Sequence, residues 1–272
     1  ARHLVAPSLR SRPLRADALE WAWRRHCVRC RSLSQGHLQP QAPEFAKLRA
    51  EVAAARLRVA VGCITEVRGV DAIANCANEH LVGTQLPYVN LDGSGGCVFE
   101  CVDAVVHRRA GRQLHEACMS VAVVEESGDP RWGGIRCPVG SARVTPAFEL
   151  PHCSHVVHVV GPAWPGSVEE LSGAYNACID AVRLAREEGA HISSLAMPAI
   201  SSGVQQWPRD LSWAAAVEVF GGHLLAAQLG LHGAPGLGHV VLAAWDAGSA
   251  EEAEECLRRW VDGTLSTEDG LL

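Results

Sequence analysis

The stretch Val70-Asp71-Ala72-Ile73-Ala74-Asn75-Cys76-Ala77-Asn78 decides the fold class of this 272-residue chain. Its apolar residues are small or β-branched and hardly interrupted, which is typical of a short strand, Val70–Ala77, buried on both faces. Five more runs of this kind occur along the chain: Leu57–Val61, Arg143–Phe148, His155–Val160, Ser194–Ile200 and His239–Ala244. Strands buried on both faces predict a sheet that lies between two layers of helices.

Helical patterns separate most of these strands, at Cys101–Ala110, Gln113–Val124, Leu171–Glu188, Leu211–Leu229 and Glu251–Val261. The alternation predicts one three-layer α/β/α domain over residues 56–272. Before it, helical patterns at Leu19–Val28 and Phe45–Ala55 flank the Pro-rich segment Gln39–Pro43, which is a stop and restart signal for helices. These two patterns predict an N-terminal helical extension over residues 1–55.

Charge and hydropathy exclude several classes of protein. Lys47 is the single lysine among 24 basic residues and follows no Gly-rich turn, which excludes a P-loop nucleoside triphosphatase or a lysine-dependent kinase. No run reaches the roughly 18 apolar residues of a membrane span, so no membrane partner is expected. Arginines cluster in residues 1–35 and acids in 246–272. Because no aromatic residues interleave the arginines, we expect solvated helix faces and no specific nucleic-acid partner.

The cysteines bear on the cellular compartment. There are 11 of them, an odd number without regular spacing, which favours a reducing, intracellular location such as the cytoplasm. The first 15 residues contain arginine, serine and leucine but no acid, which is also a property of organelle transit peptides. A cytoplasmic protein and an organelle-targeted precursor therefore both stay open.

Two Gly/Ser-rich loops precede helices, where free backbone N–H groups and the helix dipole favour anions. One is Asp92-Gly93-Ser94-Gly95-Gly96 and the other is Ser201-Ser202-Gly203-Val204-Gln205. Together they are suited to the two phosphates of a diphosphate without any lysine, although Gly/Ser clusters are also common in ordinary turns. Neither loop matches the dinucleotide-binding fingerprint.

Polar side chains accompany these loops. Asn75 and Asn78 end a buried strand, and Asp103 stands in the first turn of the helix that follows the glycines. Asp103 is a candidate catalytic carboxylate; the alternative is an ordinary first-turn acid stabilised by the helix dipole.

Five ordered blocks resemble the ADP-ribose-binding macrodomains, in particular the MacroD-like, ADP-ribosyl-hydrolysing kind. The blocks are Val70–Asn78, Val102–Gly111, Pro138–Thr145, Leu150–Pro151 with His158–Pro162, and Pro198–Val204. The resemblance covers residues 57–262 and implies a mixed six-stranded sheet between helices, with ADP-ribose across the strand ends. It also implies a hydrolase that removes mono-ADP-ribose from ADP-ribosylated proteins, acting as a monomer. The alternatives are a reader module that binds ADP-ribose without cleaving it and an O-acetyl-ADP-ribose deacetylase.

The resemblance also implies roles for individual residues. Asn78 would contact the distal ribose, and Asp103 would orient or deprotonate the attacking water. The diphosphate would be wrapped by backbone N–H groups of Ser201, Ser202, Gly203, Val204 and Gln205. The remaining ADP-ribose contacts would come from Cys63, Ile64, Asn75, Gly95, Gly96 and Trp207.

Two departures from the family pattern concern the ligand. Cys63 stands where the family has an aspartate that accepts a hydrogen bond from the adenine amino group. Because a thiol is a poor acceptor, we expect adenine binding to be weaker by about 1–3 kcal/mol unless another group compensates. Gln205 and Gln206 replace the family's ribose-packing aromatic residue, and Trp207 comes later.

A third departure concerns metal. The N-terminal helices resemble those of the zinc-dependent macrodomain branch, and Cys101 matches one of its zinc ligands. Thr84 and Phe99, however, replace the other cysteine and the histidine. Cys97 is then a substitute ligand, with His80 or Asp92 as a third, which makes zinc a candidate cofactor. The alternative is a Gly-rich loop with two free thiols.

Two other groups of potential metal ligands carry weaker signals. Cys27-Val28-Arg29-Cys30 has ligand spacing but lacks a partner cysteine pair. His152, His155 and His158 enter a strand, where odd spacing puts side chains on opposite faces, so they are not expected to share a ligand.

Overall fold

The computed structural model describes residues 43–84, 88–89, 96–97, 101–126, 133–229 and 236–266. The helix predicted at Leu19–Val28 and most of the predicted extension lie outside these residues. The domain boundary after residue 55 therefore stays a prediction.

Six strands form one sheet, and two short strands pair with each other. In chain order they are β1 (Leu57–Val61), β2 (Ala72–Cys76), β3 (Tyr88–Val89), β4 (Gly96–Cys97), β5 (Ala142–Pro146), β6 (His155–Val159), β7 (Ser194–Met197) and β8 (His239–Ala244). The order of the large sheet is β1-β8-β7-β2-β6-β5. Only the β5–β6 pair in it is antiparallel. The predicted mixed six-stranded sheet is confirmed, and β3 pairs with β4 apart from it.

Six α-helices are described: α1 (Pro43–Arg56), α2 (Val102–Ala110), α3 (Arg112–Ser120), α4 (Val168–Glu187), α5 (Arg209–Gln228) and α6 (Ala247–Asp262). The helix predicted to reach Val124 ends at Ser120 because the next residues extend toward Ile135. Val124 N–H donates to the Ile135 carbonyl at 2.8 Å, and β-branched residues favour this extended backbone. Within the described ranges, no helix is long and apolar enough to cross a membrane.

The helices cover both faces of the sheet. Residues of β2 alternate: Ala72 and Ala74 belong to the core formed with α1, α4, α5 and α6, whereas Ile73 belongs to the core formed with α2 and α3. This alternation is the two-residue period of a strand. The predicted α/β/α class is therefore confirmed, and the residue after Ala74, Asn75, lies on the α2 side.

Candidate functional site

The candidate site lies at the carboxyl ends of the parallel strands, where β2 and β7 stop and α2 and α5 begin. Asn75 is next to last in β2, and Asp103 is the second residue of α2. The loop Ser201–Gln205 comes between β7 and α5. Ligands bind at this edge of open α/β sheets because helix N-termini and strand ends meet there.

Asp103 is buried, with 2% of its surface exposed, and both of its carboxylate oxygens accept hydrogen bonds. Asn75 Nδ2 donates to Oδ1 at 2.7 Å, and Thr84 Oγ1 donates to Oδ2 at 2.6 Å. His107 Nε2, one helical turn along α2, lies 3.5 Å from Oδ1. A carboxylate held by two charge-assisted hydrogen bonds has a fixed position and orientation.

His158 of β6 lies beside Asn75 of β2, because the two residues are register partners in the parallel pair of strands. Its Nδ1 is 3.2 Å from Asn75 Nδ2, and its Nε2 is 2.9 Å from Thr145 Oγ1. Burial, together with the neighbouring His107, lowers the pKa of His158 to about 3. The imidazole is therefore neutral at ordinary pH.

Potential metal ligands also meet here. Among the described residues, His107, Cys118 and His158 offer ligand atoms that all lie within 4.8 Å of one another. Burial, and secondarily Asp103, raises the pKa of the Cys118 thiol to about 12. This set is not the one predicted from the sequence.

The zinc ligands predicted from the sequence are only partly described. Cys101 Sγ caps α2 by accepting a hydrogen bond from Ala104 N–H at 3.4 Å, and the Cys97 side chain lies outside the described residues. Thr84, in the place of the branch's first cysteine, donates its hydroxyl to Asp103. The described side chains thus do not assemble that branch's ligand set, and zinc at Cys97 and Cys101 stays a prediction.

The loop after β7 presents backbone donors. Ile200, which precedes it, is held on both sides: its N–H donates to Tyr175 Oη at 2.8 Å, and its carbonyl accepts from Ser212 Oγ at 2.7 Å. Ser201 has a positive φ of 63°, which turns the chain sharply. Among the described residues, no backbone carbonyl accepts a hydrogen bond from the N–H groups of Ser202, Gly203, Val204 and Gln205. Adjacent free N–H groups form an anion-binding concavity.

Two other residues shape this loop. A Cβ at Gly161 would collide with Ser201 Oγ, so the close approach of the two chain segments requires glycine there. Trp207 is 2% exposed and packs edge-to-face on Trp164, with ring centroids 5.0 Å apart. The structure thus buries Trp207 in the core, and its predicted contact with the ligand stays a prediction.

A cavity of about 210 Å³ lies beside the loop and contains Cys63, Ile64 and Ser202 in its lining. The exposed Trp245 and Val102 of α2 also line it. Val102 faces this cavity while the next residue, Asp103, faces Asn75. The first turn of α2 therefore separates the cavity from the buried hydrogen bonds around Asp103.

The structure brings some of the predicted site residues together and places others apart from them. Asn75 and Asp103 are in direct contact, and Cys63, Ile64 and Ser202 share the cavity. Asn78 follows β2, where its Oδ1 accepts from Val82 N–H at 3.3 Å. Gly95 lies outside the described residues, and Gly96 is described only as backbone of β4.

Sequence reasoning missed Thr84, His158 and Thr145 as partners around Asp103. One signal was present for His158, because it is a polar residue between two valines of a buried strand, much as Asn75 stands among apolar residues in β2. Thr84 and Thr145 carried no comparable signal, since threonine is ordinary in both loops and strands.

Comparisons with known proteins agree with this architecture. The family model "Macro domain" matches residues 74–216. A macro domain-containing protein of Xanthomonas axonopodis pv. citri is 37% identical over 154 residues, covering 56% of this chain and 72% of the relative. The O-acetyl-ADP-ribose deacetylase of Citrobacter rodentium is 39% identical over 165 residues, covering 60% of this chain and 75% of the relative.

Solved structures are similar in fold. The Oceanobacillus iheyensis macrodomain with MES bound has a TM-score of 0.57 at 24% identity, covering 76% of this chain and 93% of that one. The Trypanosoma brucei macrodomain in complex with ADP-ribose has a TM-score of 0.52 at 21% identity, covering 85% of this chain and 95% of that one. At these identities the likeness concerns the fold alone.

Proposed function

The chain belongs to the macro domain family, and on this premise we propose that it binds ADP-ribose and hydrolyses the acetyl ester of O-acetyl-ADP-ribose. The proposal rests on Asp103, a buried carboxylate fixed at the start of α2 beside a loop of free N–H groups. Relatives that bear the name O-acetyl-ADP-ribose deacetylase support this activity. They support it better than removal of mono-ADP-ribose from proteins, the leading expectation from the sequence.

Binding follows from the two features that flank the first turn of α2. The N–H groups of Ser202–Gln205 would surround the diphosphate, which needs donors but no lysine. The adenosine would enter the cavity at Cys63, where Trp245 offers an aromatic surface. Asn78, next to the end of β2, would then contact the distal ribose that carries the ester.

The chemistry follows from the carboxylate. Asp103 would take a proton from a water molecule as the water oxygen attacks the acetyl carbonyl carbon. The bond from that carbon to the ribose oxygen then breaks, acetic acid forms, and the ribose oxygen receives the proton. General base catalysis by a positioned carboxylate contributes on the order of 10²–10⁴ in rate.

Assays with two substrates, together with calorimetric binding of ADP-ribose, test the proposal. We expect the wild type to release acetate from O-acetyl-ADP-ribose, and Asp103→Asn to lower kcat by about 10²–10⁴ while still binding ADP-ribose in calorimetry. Asp180→Asn on the surface of α4 is the matched control and should behave as the wild type.

The other outcomes separate the alternatives. Release of ADP-ribose from a mono-ADP-ribosylated protein, without deacetylation, would favour the protein hydrolase. Binding of ADP-ribose with no turnover of either substrate would favour the reader module. If Asp103→Asn turns over as fast as the wild type, the assignment of Asp103 as the base is wrong.

A further inference from the structure

We propose that His158 and Thr145 are positioning residues that hold the Asn75 amide with its hydrogens toward Asp103. Thr145, His158, Asn75 and Asp103 form a chain of side-chain hydrogen bonds, named here the Asp103 relay. The catalytic role of the relay rests on the proposed function, whereas the donor and acceptor of each of its hydrogen bonds do not depend on it.

The contact with Asp103 fixes the orientation of the Asn75 amide. An ionised carboxylate only accepts hydrogen bonds, so the Asn75 atom that lies 2.7 Å from Asp103 Oδ1 is the amide nitrogen. Asn75 Oδ1 is buried and has no partner among the described residues. The bonds that the nitrogen donates are therefore what holds the amide in this orientation.

The orientation of Asn75 in turn determines the tautomer of His158. Asn75 Nδ2 also lies 3.2 Å from His158 Nδ1, and an amide nitrogen carries two hydrogens and accepts nothing. Nδ1 must therefore be the unprotonated ring nitrogen. The proton is on Nε2, which donates to Thr145 Oγ1 at 2.9 Å.

The doubly protonated form of His158 does not fit these contacts. A doubly protonated His158 would direct an N–H at the Asn75 N–H, and burial, which lowers the pKa of His158 to about 3, disfavours that form. In the neutral form, both ring nitrogens of His158 take part in the hydrogen bonds that lead from Thr145 to Asp103.

Two substitutions of His158 test its two ring nitrogens one at a time. His158→Asn keeps an acceptor near Nδ1 and loses the bond to Thr145, whereas His158→Gln keeps a donor near Nε2 and leaves the Asn75 N–H without an acceptor. Both remove the ring and one hydrogen bond, so they are matched in their structural cost.

We expect His158→Gln to lower kcat for O-acetyl-ADP-ribose by roughly 5- to 100-fold relative to His158→Asn, because a buried donor loses its acceptor. KM and the calorimetric affinity for ADP-ribose should be alike in the two variants. Equal kcat values in the two variants would overturn the positioning role.

A second measurement needs neither turnover nor the variants' stability. Nitrogen-15 NMR of the labelled wild-type protein should show His158 protonated at Nε2 and bare at Nδ1. A proton on Nδ1 would overturn the relay. A wild type that shows this tautomer but does not turn over O-acetyl-ADP-ribose would contradict the proposed function and leave the polarity of the relay intact.

Discussion

Both faces of the sheet are buried, but they differ in what is buried. The apolar face, toward α4 and α5, holds the largest core side chains, Trp207, Trp213, Tyr175 and Phe220. The polar face, toward α2 and α3, holds a connected set of buried polar residues, Asn75, Asp103, Thr145 and His158. Apolar burial stabilises without regard to direction, whereas buried polar groups must meet their partners at defined distances. We infer that the first face supplies most of the stability and the second supplies the geometry for chemistry.

The largest expected effect is the loss of stability caused by a substitution in the apolar face. Phe220 is fully buried and packs edge-to-face on Tyr175, with ring centroids 6.0 Å apart. Phe220→Ala should lower the free energy of unfolding by about 3–5 kcal/mol, because it removes a large side chain and leaves a cavity. Urea denaturation measures the loss. The activity of the remaining folded protein should stay near that of the wild type, and a matching loss of kcat would contradict the division between the faces.

The second largest effect is expected at Tyr175, which belongs to the apolar core and also holds the loop of the candidate site. Tyr175 Oη accepts from Ile200 N–H at 2.8 Å and bonds to Ser212 Oγ at 2.7 Å, so it anchors the loop that begins at Ser201. Tyr175→Phe should lower the free energy of unfolding by about 1–3 kcal/mol, because a buried N–H loses its acceptor. The affinity for ADP-ribose, measured by calorimetry, should fall as well. Phe220→Ala serves as the control: if it weakens binding as much, the effect of Tyr175 is general destabilisation.

The smallest effect concerns pH and the polar face. The pKa of His158 is lowered by burial to about 3 in the folded protein, from an ordinary value of 6.5. Between these values the unfolded chain binds a proton that the folded protein does not, so stability is lost as pH falls below about 6.5. The loss from this residue should approach about 1 kcal/mol per pH unit.

His158→Asn provides the comparison for this pH dependence. Urea denaturation at several pH values between about 7 and 5 should give a shallower slope of unfolding free energy against pH for the variant than for the wild type. Burial also lowers the pKa of His107 and His155, so some slope should remain in the variant. Identical slopes would mean that His158 is not held neutral in the folded protein.

Much of the fold could be predicted because its signals are local. The apolar runs located all six strands of the sheet, and Asn75 and Asp103 stood out as polar residues beside them. The helix after Gln113 was predicted too long because the contact of Val124 with Ile135 is absent from the local pattern. The partners of Asp103 were missed for the same reason: Thr84 lies 19 residues away, and Asn75 bonds to a histidine 83 residues along the chain.

The sequence by itself determined the alternation of strands and helices, the two-sided burial of the sheet and the family. These follow from periodicity and residue order, which any stretch of the chain carries within itself. Only the tertiary structure decided which polar atoms meet. The sheet has the order β7-β2-β6-β5, and Asn75 is the register partner of His158. This arrangement brings Thr145, His158 and Asn75 into a chain of hydrogen bonds that ends at Asp103. Hydrogen bonds depend on distances of a few tenths of an ångström between distant segments, and no local pattern encodes those distances.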